Sequence, residues 1–367
     1  MNRIIVAGHV CLDITPVIPR QDRARTLEQM LPPGKLLLTE GVSVTAGGCV
    51  TNTGLALRAM GADVSLMGKV GNDPFGDLVA DIFARHGAKG LIRSDQSATS
   101  YSVVLAFPGR DRSILHDPAA NDTFCADDIP EAALEDAALF HFGYPPLMRR
   151  MYARDGEELV RLFQRVRSHG AATSLDLAAV DPASDAGRVD WAALLARVLP
   201  QTDFFVPSFE ELCFMLDRPL WERLNRGGDM TFALDLEGIA LPLARKALDL
   251  GCRAVLVKCG ASGMVYCTAE AQAWQRLGLS LSREAWAGRV GVQRCFHAQT
   301  VQSATGAGDS AIAAFLLALV RGKDPEACVR LAAAQGALAV TRFDTLDALL
   351  PLEALEAKIA EGWALDN

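Results

Sequence analysis

Residues 303–310 read SATGAGDS, and the ten residues that follow, AIAAFLLALV (311–320), carry no charge. Glycine and alanine at 306–308 leave little side chain in the way of a ligand approaching the backbone. A helix that starts here has first N–H groups without intrahelical partners, and its dipole favours an anion. Asp309 then lies in the first turn, beside whatever anion binds. A carboxylate in that place can take the proton of an attacking hydroxyl during phosphoryl transfer, while the N–H groups stabilise the developing charge. Taken alone, the same residues serve equally well as a helix start with Asp309 as a cap. The rest of the chain decides between the two.

Short β-branched runs alternate with longer helical patterns. RIIVAG (3–8), DVSLMGKVG (63–71), LFHFG (139–143), AATSLDL (171–177), TDFFVPS (202–208) and AVLVKCG (254–260) read as strands. VTNTGLALRAMG (50–61), PFGDLVADIFARHG (74–87), DGEELVRLFQRVRSHG (155–170) and LPLARKALDLG (241–251) read as helices. This order predicts one α/β domain over residues 1–367, with a mostly parallel sheet covered on both faces. GKLLLTEGVSVT (34–45) and SYSVVLAFPGRDRSILHD (100–117) break the pattern. They predict paired strands, the second a hairpin turning at PGRD, in a small β-rich lid built from segments at about 12–45 and 95–121. Residues 217–238 read as a loop-rich insertion with no assigned role.

The bulk numbers bound the function. Half of the 367 residues are apolar and 22% are charged, the composition of a folded globular chain. A net charge of −8, with no basic block or zinc-finger spacing, argues against a nucleic-acid partner. Nine cysteines without a CxxC fit neither a zinc site nor a disulfide framework, and predict reduced thiols in a cytoplasmic protein. MNRIIVAGHVCLDI lacks the apolar core and cleavage site of a signal peptide. AIAAFLLALV is half the length of about 20 residues that spans a bilayer, so it predicts a buried helix and no membrane partner. Gly8 alone does not make a dinucleotide-binding GxGxxG. The pairs Gly34-Lys35, Gly68-Lys69 and Gly322-Lys323 continue with Leu, Val and Asp, never the Ser or Thr of a P-loop.

AGHVCLD (7–13), AGGCVTN (46–52), GKVGNDPFG (68–76), KCGASG (258–263), TGAGDS (305–310) and LAAAQGALAV (331–340) follow one another in the chain. In that order they resemble the ribokinase-like, or PfkB, carbohydrate kinase family along nearly the whole sequence. The resemblance implies a ribokinase-like three-layer sandwich with a lid, and an ATP-dependent kinase that phosphorylates a hydroxyl of a small sugar-like substrate. It implies Asp309 as general base, with the backbone of Gly306, Ala307 and Gly308 as the anion hole. Asp13, Gly47, Gly48 and Asn52 would hold the sugar. Lys258, Gly260 and Gly263 would lie along the nucleotide, with Gln335 at the adenine. Mg²⁺ would be held through water near Glu211, and lids that pair between subunits would make a homodimer.

The sequence also departs from the family pattern. SFEE (208–211) has Ser208 where the magnesium-associated motif has Asn, and Ser303 replaces the Asp associated with a monovalent cation. Gly143 stands where a polar sugar contact is common, Cys11 where a polar reader is common, and Cys49 where ribokinase has lysine. These changes point away from a strict ribokinase, toward another sugar, a polyol, or an acceptor with a bulkier apolar substituent. A nucleoside kinase is one alternative, for which Tyr101 and Phe107 are the candidate base-gripping aromatics. A sugar-binding sensor that has lost catalysis is another. Asp176 at a strand end is placed to support phosphates or metal. Arg110 and Arg112, with His116 and Asn121, either reach an acidic substrate or belong to a solvated hairpin. His9, His86, His141, His169 and His297 show no metal spacing and read as structural.

Overall fold

The computed structural model describes residues 3–19, 31, 33–106, 113–226, 228–275, 277–342 and 345–366. In chain order the first strands are β1 (Arg3–Gly8), β2 (Cys11–Pro16), β3 (Val42–Gly47), β4 (Val64–Gly71), β5 (Ile92–Ser94), β6 (Tyr101–Leu105) and β7 (Ser113–Asp117). They are followed by β8 (Ala137–Gly143), β9 (Ala172–Leu175), β10 (Phe204–Phe205), β11 (Ala254–Lys258), β12 (Met264–Thr268) and β13 (Val290–Gln293). Nine of these form one sheet in the order β13-β12-β11-β10-β9-β8-β1-β4-β5. Every pairing from β11 to β5 is parallel, and the two edge pairings, β11 with β12 and β12 with β13, are antiparallel, so β12 alone runs against the rest.

The main helices are α1 (Cys49–Ala59), α2 (Pro74–Arg85), α3 (Arg149–Ser168), α4 (Trp191–Val198), α5 (Phe209–Leu216) and α6 (Arg218–Leu224). The series ends with α7 (Leu241–Leu248), α8 (Ala307–Val320), α9 (Pro325–Ala339) and α10 (Leu352–Ala360). Successive strand residues face opposite sides of a sheet, and β1 shows the consequence. Ile4 and Val6 pack with Val50 of α1, Ile312 of α8 and Val329 of α9. Ile5 and Ala7 pack with Leu162 of α3, Leu194 of α4 and Ala244 of α7. Two cores on either side of one sheet make the expected three-layer α/β sandwich. Helix α8 lies against both α1 and α9, with residues 309–319 buried. A helix covered all round has no face to keep polar, which accounts for the uncharged AIAAFLLALV. Among the described residues, no helix is long and apolar enough to cross a membrane.

The lid is a separate four-stranded sheet, β3-β2-β6-β7. The hairpin forms as expected, β6 antiparallel to β7, while its PGRD turn lies outside the described residues, as do Phe107, Arg110 and Arg112. Of the stretch 34–45, only the part within β3 (Val42–Gly47) is a strand; Leu36 and Leu38 are 86% and 80% exposed outside it. Asn121 is fully buried and holds the lid's root, accepting from Val10 N–H at 3.2 Å and donating to Val10 O at 2.9 Å. It is therefore a structural clamp rather than a substrate contact. The insertion at 217–238 is also better ordered than its sequence suggests. It contains α6, and Met230, Leu234 and Leu236 are buried. Ser262 Oγ donates to Thr231 O (2.7 Å) and accepts from Leu234 N–H (3.0 Å), so the insertion braces the turn after β11.

Candidate active site

Parallel strands deliver their carboxyl ends to one rim, where open α/β sheets bind ligands. His9 follows β1, Tyr144 follows β8, Asp176 follows β9, Ser208 lies beyond β10, and Lys258 ends β11. All five line one cavity of about 540 Å³. The lid contributes Cys11, Asp13, Ser102, Val104, Ile114 and His116, and the start of α8 contributes Thr305, Gly306, Gly308 and Asp309.

Gly306 is the residue before α8 and holds φ 74°, ψ 0°. This left-handed conformation is easy for glycine and strained for other residues. It lets the chain turn into α8, whose first N–H, that of Ala307, donates to Ala304 O at 3.3 Å, while Gly306 and Gly308 line the cavity. Asp309 is the third residue of α8 and only 7% exposed. Tyr144 Oη donates to both of its carboxylate oxygens at 2.8 Å. Thr53 Oγ1 donates to Oδ1 at 3.0 Å, and Asn52 Nδ2 to Oδ2 at 3.2 Å. Burial pushes the Asp309 carboxyl above the usual carboxylate range, against the pull of Tyr144, Lys258, Thr53 and Asn52. Burial and the facing Asp309 hold the Tyr144 phenol well above its ordinary value, so it remains a donor.

Lys258 Nζ meets Asp176 Oδ1 at 2.8 Å, with side chains 12% and 3% exposed. Burial pushes the Asp176 carboxyl up while the Lys258 ammonium pulls against it. For Lys258 burial acts downward, and the carboxylates of Asp176, Glu211 and Asp309 outweigh it. Glu211 lines the cavity from the first turn of α5 and also caps that helix. Its Oε2 accepts from Ser208 N–H at 2.7 Å, and Ser208 Oγ accepts from Glu211 N–H at 3.3 Å. Asp13, Asp176, Glu211 and Asp309 thus line the cavity with one ammonium, Lys258, among its described lining residues. A polyphosphate entering so acidic a cavity needs a divalent counter-ion. Among the described residues, no cluster of three or more His, Cys, Asp or Glu side chains is arranged to hold a metal. The donor set fits Mg²⁺ carried on phosphate oxygens and water, which that ion tolerates.

At the other end, Asp13 sits inside β2 and accepts from Cys11 Sγ at 3.2 Å. The double glycine makes room for polar neighbours. A Cβ on Gly47 would lie 2.2 Å from Asp13 Oδ2, and one on Gly48 (φ 88°) 2.4 Å from His9 O. Gly143 is required too, since its Cβ would lie 2.4 Å from that of Cys49. His9 belongs to the cavity wall, contrary to the reading of it as merely structural. Its Nε2 is 3.3 Å from Nε2 of His116, whose Nδ1 is 3.1 Å from Ser102 Oγ. Burial, then the His116 charge, pushes His9 down to about 3, so the ring is neutral.

Some expected residues stand apart from the cavity. Gly260 and Gly263 shape the turn after β11: their added Cβ atoms would lie 2.2 Å from Thr231 Oγ1 and from Gln293 O. Gln335 is fully buried, with its amide donating to Ala348 O and accepting from Leu350 N–H, both at 3.2 Å. Its polar atoms pin the chain after α9, so the adenine contact expected of it is corrected to a structural tie. Gly47 and Ala307 back the cavity without lining it. Sequence reasoning missed Tyr144 and Thr53. Thr53 carried a faint signal, being a buried hydroxyl next to Asn52 on the same helix.

A family model described as pfkB family carbohydrate kinase matches residues 1–351. An uncharacterized sugar kinase of Archaeoglobus fulgidus is 24% identical over 297 residues, covering 80% of this chain and 98% of its own. The 2-dehydro-3-deoxygalactonokinase of Haloferax volcanii is 26% identical over 342 residues, covering 89% and 92%. A crystal structure of fructokinase with bound ATP from Xylella fastidiosa matches with a TM-score of 0.70 at 23% identity, covering 98% of each chain. The last likeness concerns the fold, while the family match spans the motifs that build the cavity. The chain belongs to the pfkB family of carbohydrate kinases.

Proposed function

We propose that the protein transfers the γ-phosphoryl group of ATP to a hydroxyl of a small sugar or sugar-like molecule, with Asp309 as general base. The observation that carries this reading is the Asp309 carboxylate, buried in the first turn of a glycine-started helix that opens into the cavity. Bound MgATP supplies the electrophilic phosphoryl group. Asp13, Gly48 and Asn52 orient the acceptor, and Asp309 takes its proton as the O–P bond forms. Backbone N–H groups at Gly306 and Gly308, which line the cavity, hold the charge that develops, while the Ala307 N–H expected to join them donates to Ala304 O at 3.3 Å. Lys258 faces the same space from β11. The lid keeps bulk water from competing with the acceptor.

Val104, Ile114 and Leu147 give the acceptor end an apolar wall, which supports an acceptor larger or less polar than ribose. The nucleoside reading is disfavoured. Tyr101 packs edge-on against Phe75, with ring centroids 5.7 Å apart, rather than serving as a base grip. The sensor reading is disfavoured by the complete hydrogen-bonded setting of Asp309. The protein also pairs as a homodimer through its lid, where Leu36, Leu38, Val42, Ile114 and Leu115 are all more than half exposed. The test of the reaction is ADP release from MgATP across pentoses, hexoses, polyols, sugar acids and nucleosides. A sugar or polyol that drives ADP release in proportion to phosphorylated product supports the reading. Turnover with nucleosides alone would replace it.

A further inference from the structure

Three donors crowd one carboxylate. Tyr144 Oη straddles both oxygens of Asp309, while Thr53 and Asn52 take one each from the helix side. A carboxylate offers about four lone-pair sites, and an acceptor hydroxyl must reach one of them to lose its proton. Thr53 is buried within α1, whereas Tyr144 and Asn52 are partly exposed and line the cavity, and of these two only Tyr144 meets both carboxylate oxygens. The cavity-facing edge of Asp309 is therefore already occupied by a hydroxyl belonging to the protein.

Tyr144 is held there against its own backbone preference. It has φ 66° and ψ 41° and precedes the short turn Pro145–Leu147. A left-handed bulky residue is costly and persists where its surroundings over-determine it. Here those surroundings include the adjacent Pro145-Pro146 pair, His9 with its ring centroid 6.1 Å from that of Tyr144, and the Asp309 carboxylate itself.

We propose that the Tyr144 hydroxyl is a plug: it occupies the proton-accepting edge of Asp309 between turnovers and yields that edge to a sugar but not to water. The proposal rests on Asp309 being the general base. A sugar anchored at Asp13, Gly48 and Asn52 brings binding energy that can displace the phenol, and a single water molecule does not. The suppressed side reaction is hydrolysis of ATP. In it the water oxygen bonds to phosphorus, the bridging oxygen leaves with ADP, and the water proton passes to Asp309. Removing the phenolic oxygen leaves a hydroxyl-sized gap beside the carboxylate, where water can take up the same hydrogen bond.

Tyr144→Phe tests this, because it keeps the ring and removes only the plug. ADP release from MgATP without any sugar is expected to rise at least about tenfold over wild type. With sugar present, less than one phosphorylated product is expected per ADP. Losing a donor to its charged form moves the Asp309 carboxyl upward, so the acid limb of the kcat profile shifts to higher pH. The charged groups that face Asp309, Lys258 and Asp176, are left in place, so they do not produce that shift. Tyr144→Leu gives the same direction by a second route, and melting temperatures show that each variant is folded. Unchanged sugar-free ADP release with an unmoved acid limb overturns the plug. Phosphate found on Tyr144 of wild type by mass spectrometry overturns it too, since the phenol would then be an acceptor. Asp309→Asn separates the two ideas: full sugar phosphorylation in that variant means the base assignment has failed, whereas its loss leaves Tyr144→Phe to decide the plug alone.

Discussion

Replacing Lys258 by methionine keeps the aliphatic stem and removes the cation that faces Asp176 at 2.8 Å. Both side chains are nearly buried, at 12% and 3% exposure, and Glu211 and Asp309 add further negative charge nearby. Removing one partner of a buried ion pair costs about 3–5 kcal/mol, because the other charge is left without compensation. An unfolding entropy of about 2.1 cal/mol/K per residue over 367 residues is about 0.77 kcal/mol/K. The expected fall in melting temperature is then about 4–6.5 °C where Asp176 is ionised, above about pH 8.

The same variant has a signed pH dependence. Burial already raises the Asp176 carboxyl, and losing the ammonium raises it further. A carboxyl raised in the folded state binds its proton more tightly there than in the unfolded chain. Stability therefore falls as pH rises from the ordinary carboxylate value toward the folded one, and recovers on acidification. The wild-type carboxyl is itself pushed up to about 8, so the two proteins diverge above that pH, and calorimetry of Lys258→Met against wild type at about pH 7 and about pH 9.5 should show the larger deficit at the higher pH. Adding Asp176→Asn should restore most of the loss. A melting temperature equal to wild type, or a deficit of the same size at both pH values, would refute the uncompensated-charge argument.

Other consequences follow from single sites. Gly48→Ala forces a left-handed residue, at roughly 1–2 kcal/mol, and drives a Cβ to 2.4 Å from His9 O; lower thermal stability and a higher KM for the acceptor are expected from melting curves and steady-state kinetics. His141 is pushed down from 6.5 to about 3 by burial and the Lys258 charge, so its contribution is lost as pH falls from 6.5 toward 3. His141→Gln should make acid unfolding shallower over that window, followed by circular dichroism. Leu115→Asp places a charge on the exposed lid face and should convert a dimer to monomer in light scattering. A wild-type monomer would remove the lid-pairing proposal.

The sandwich was legible because β-branched runs and helical periodicity alternate along the chain, and because glycines mark turns that other residues cannot make. Gly306 illustrates the second point, its left-handed φ of 74° opening α8 just before Asp309. Pairings between distant segments were not legible. Asp176 and Lys258 are 82 residues apart, His9 and His116 are 107 apart, and Tyr144 and Asp309 are 165 apart. Local pattern carries no information about such partners, because the strand order brings them together. Gln335 was misread for the related reason that a small-residue helix does not reveal which side holds its one amide. The 217–238 segment looked loop-rich because its helices are short, and its packing depends on scattered anchors such as Met230 and Leu234.

The decisive measurement is the single-turnover rate of phosphoryl transfer to an accepted sugar, in wild type and Asp309→Asn. Asparagine keeps the size of the side chain and cannot take the hydroxyl proton. A general base at Asp309 predicts a loss of at least about a hundredfold, equivalent to about 2.7 kcal/mol of barrier, with the sugar still bound. A variant that transfers phosphate at close to the wild-type rate would rule out Asp309 as the base.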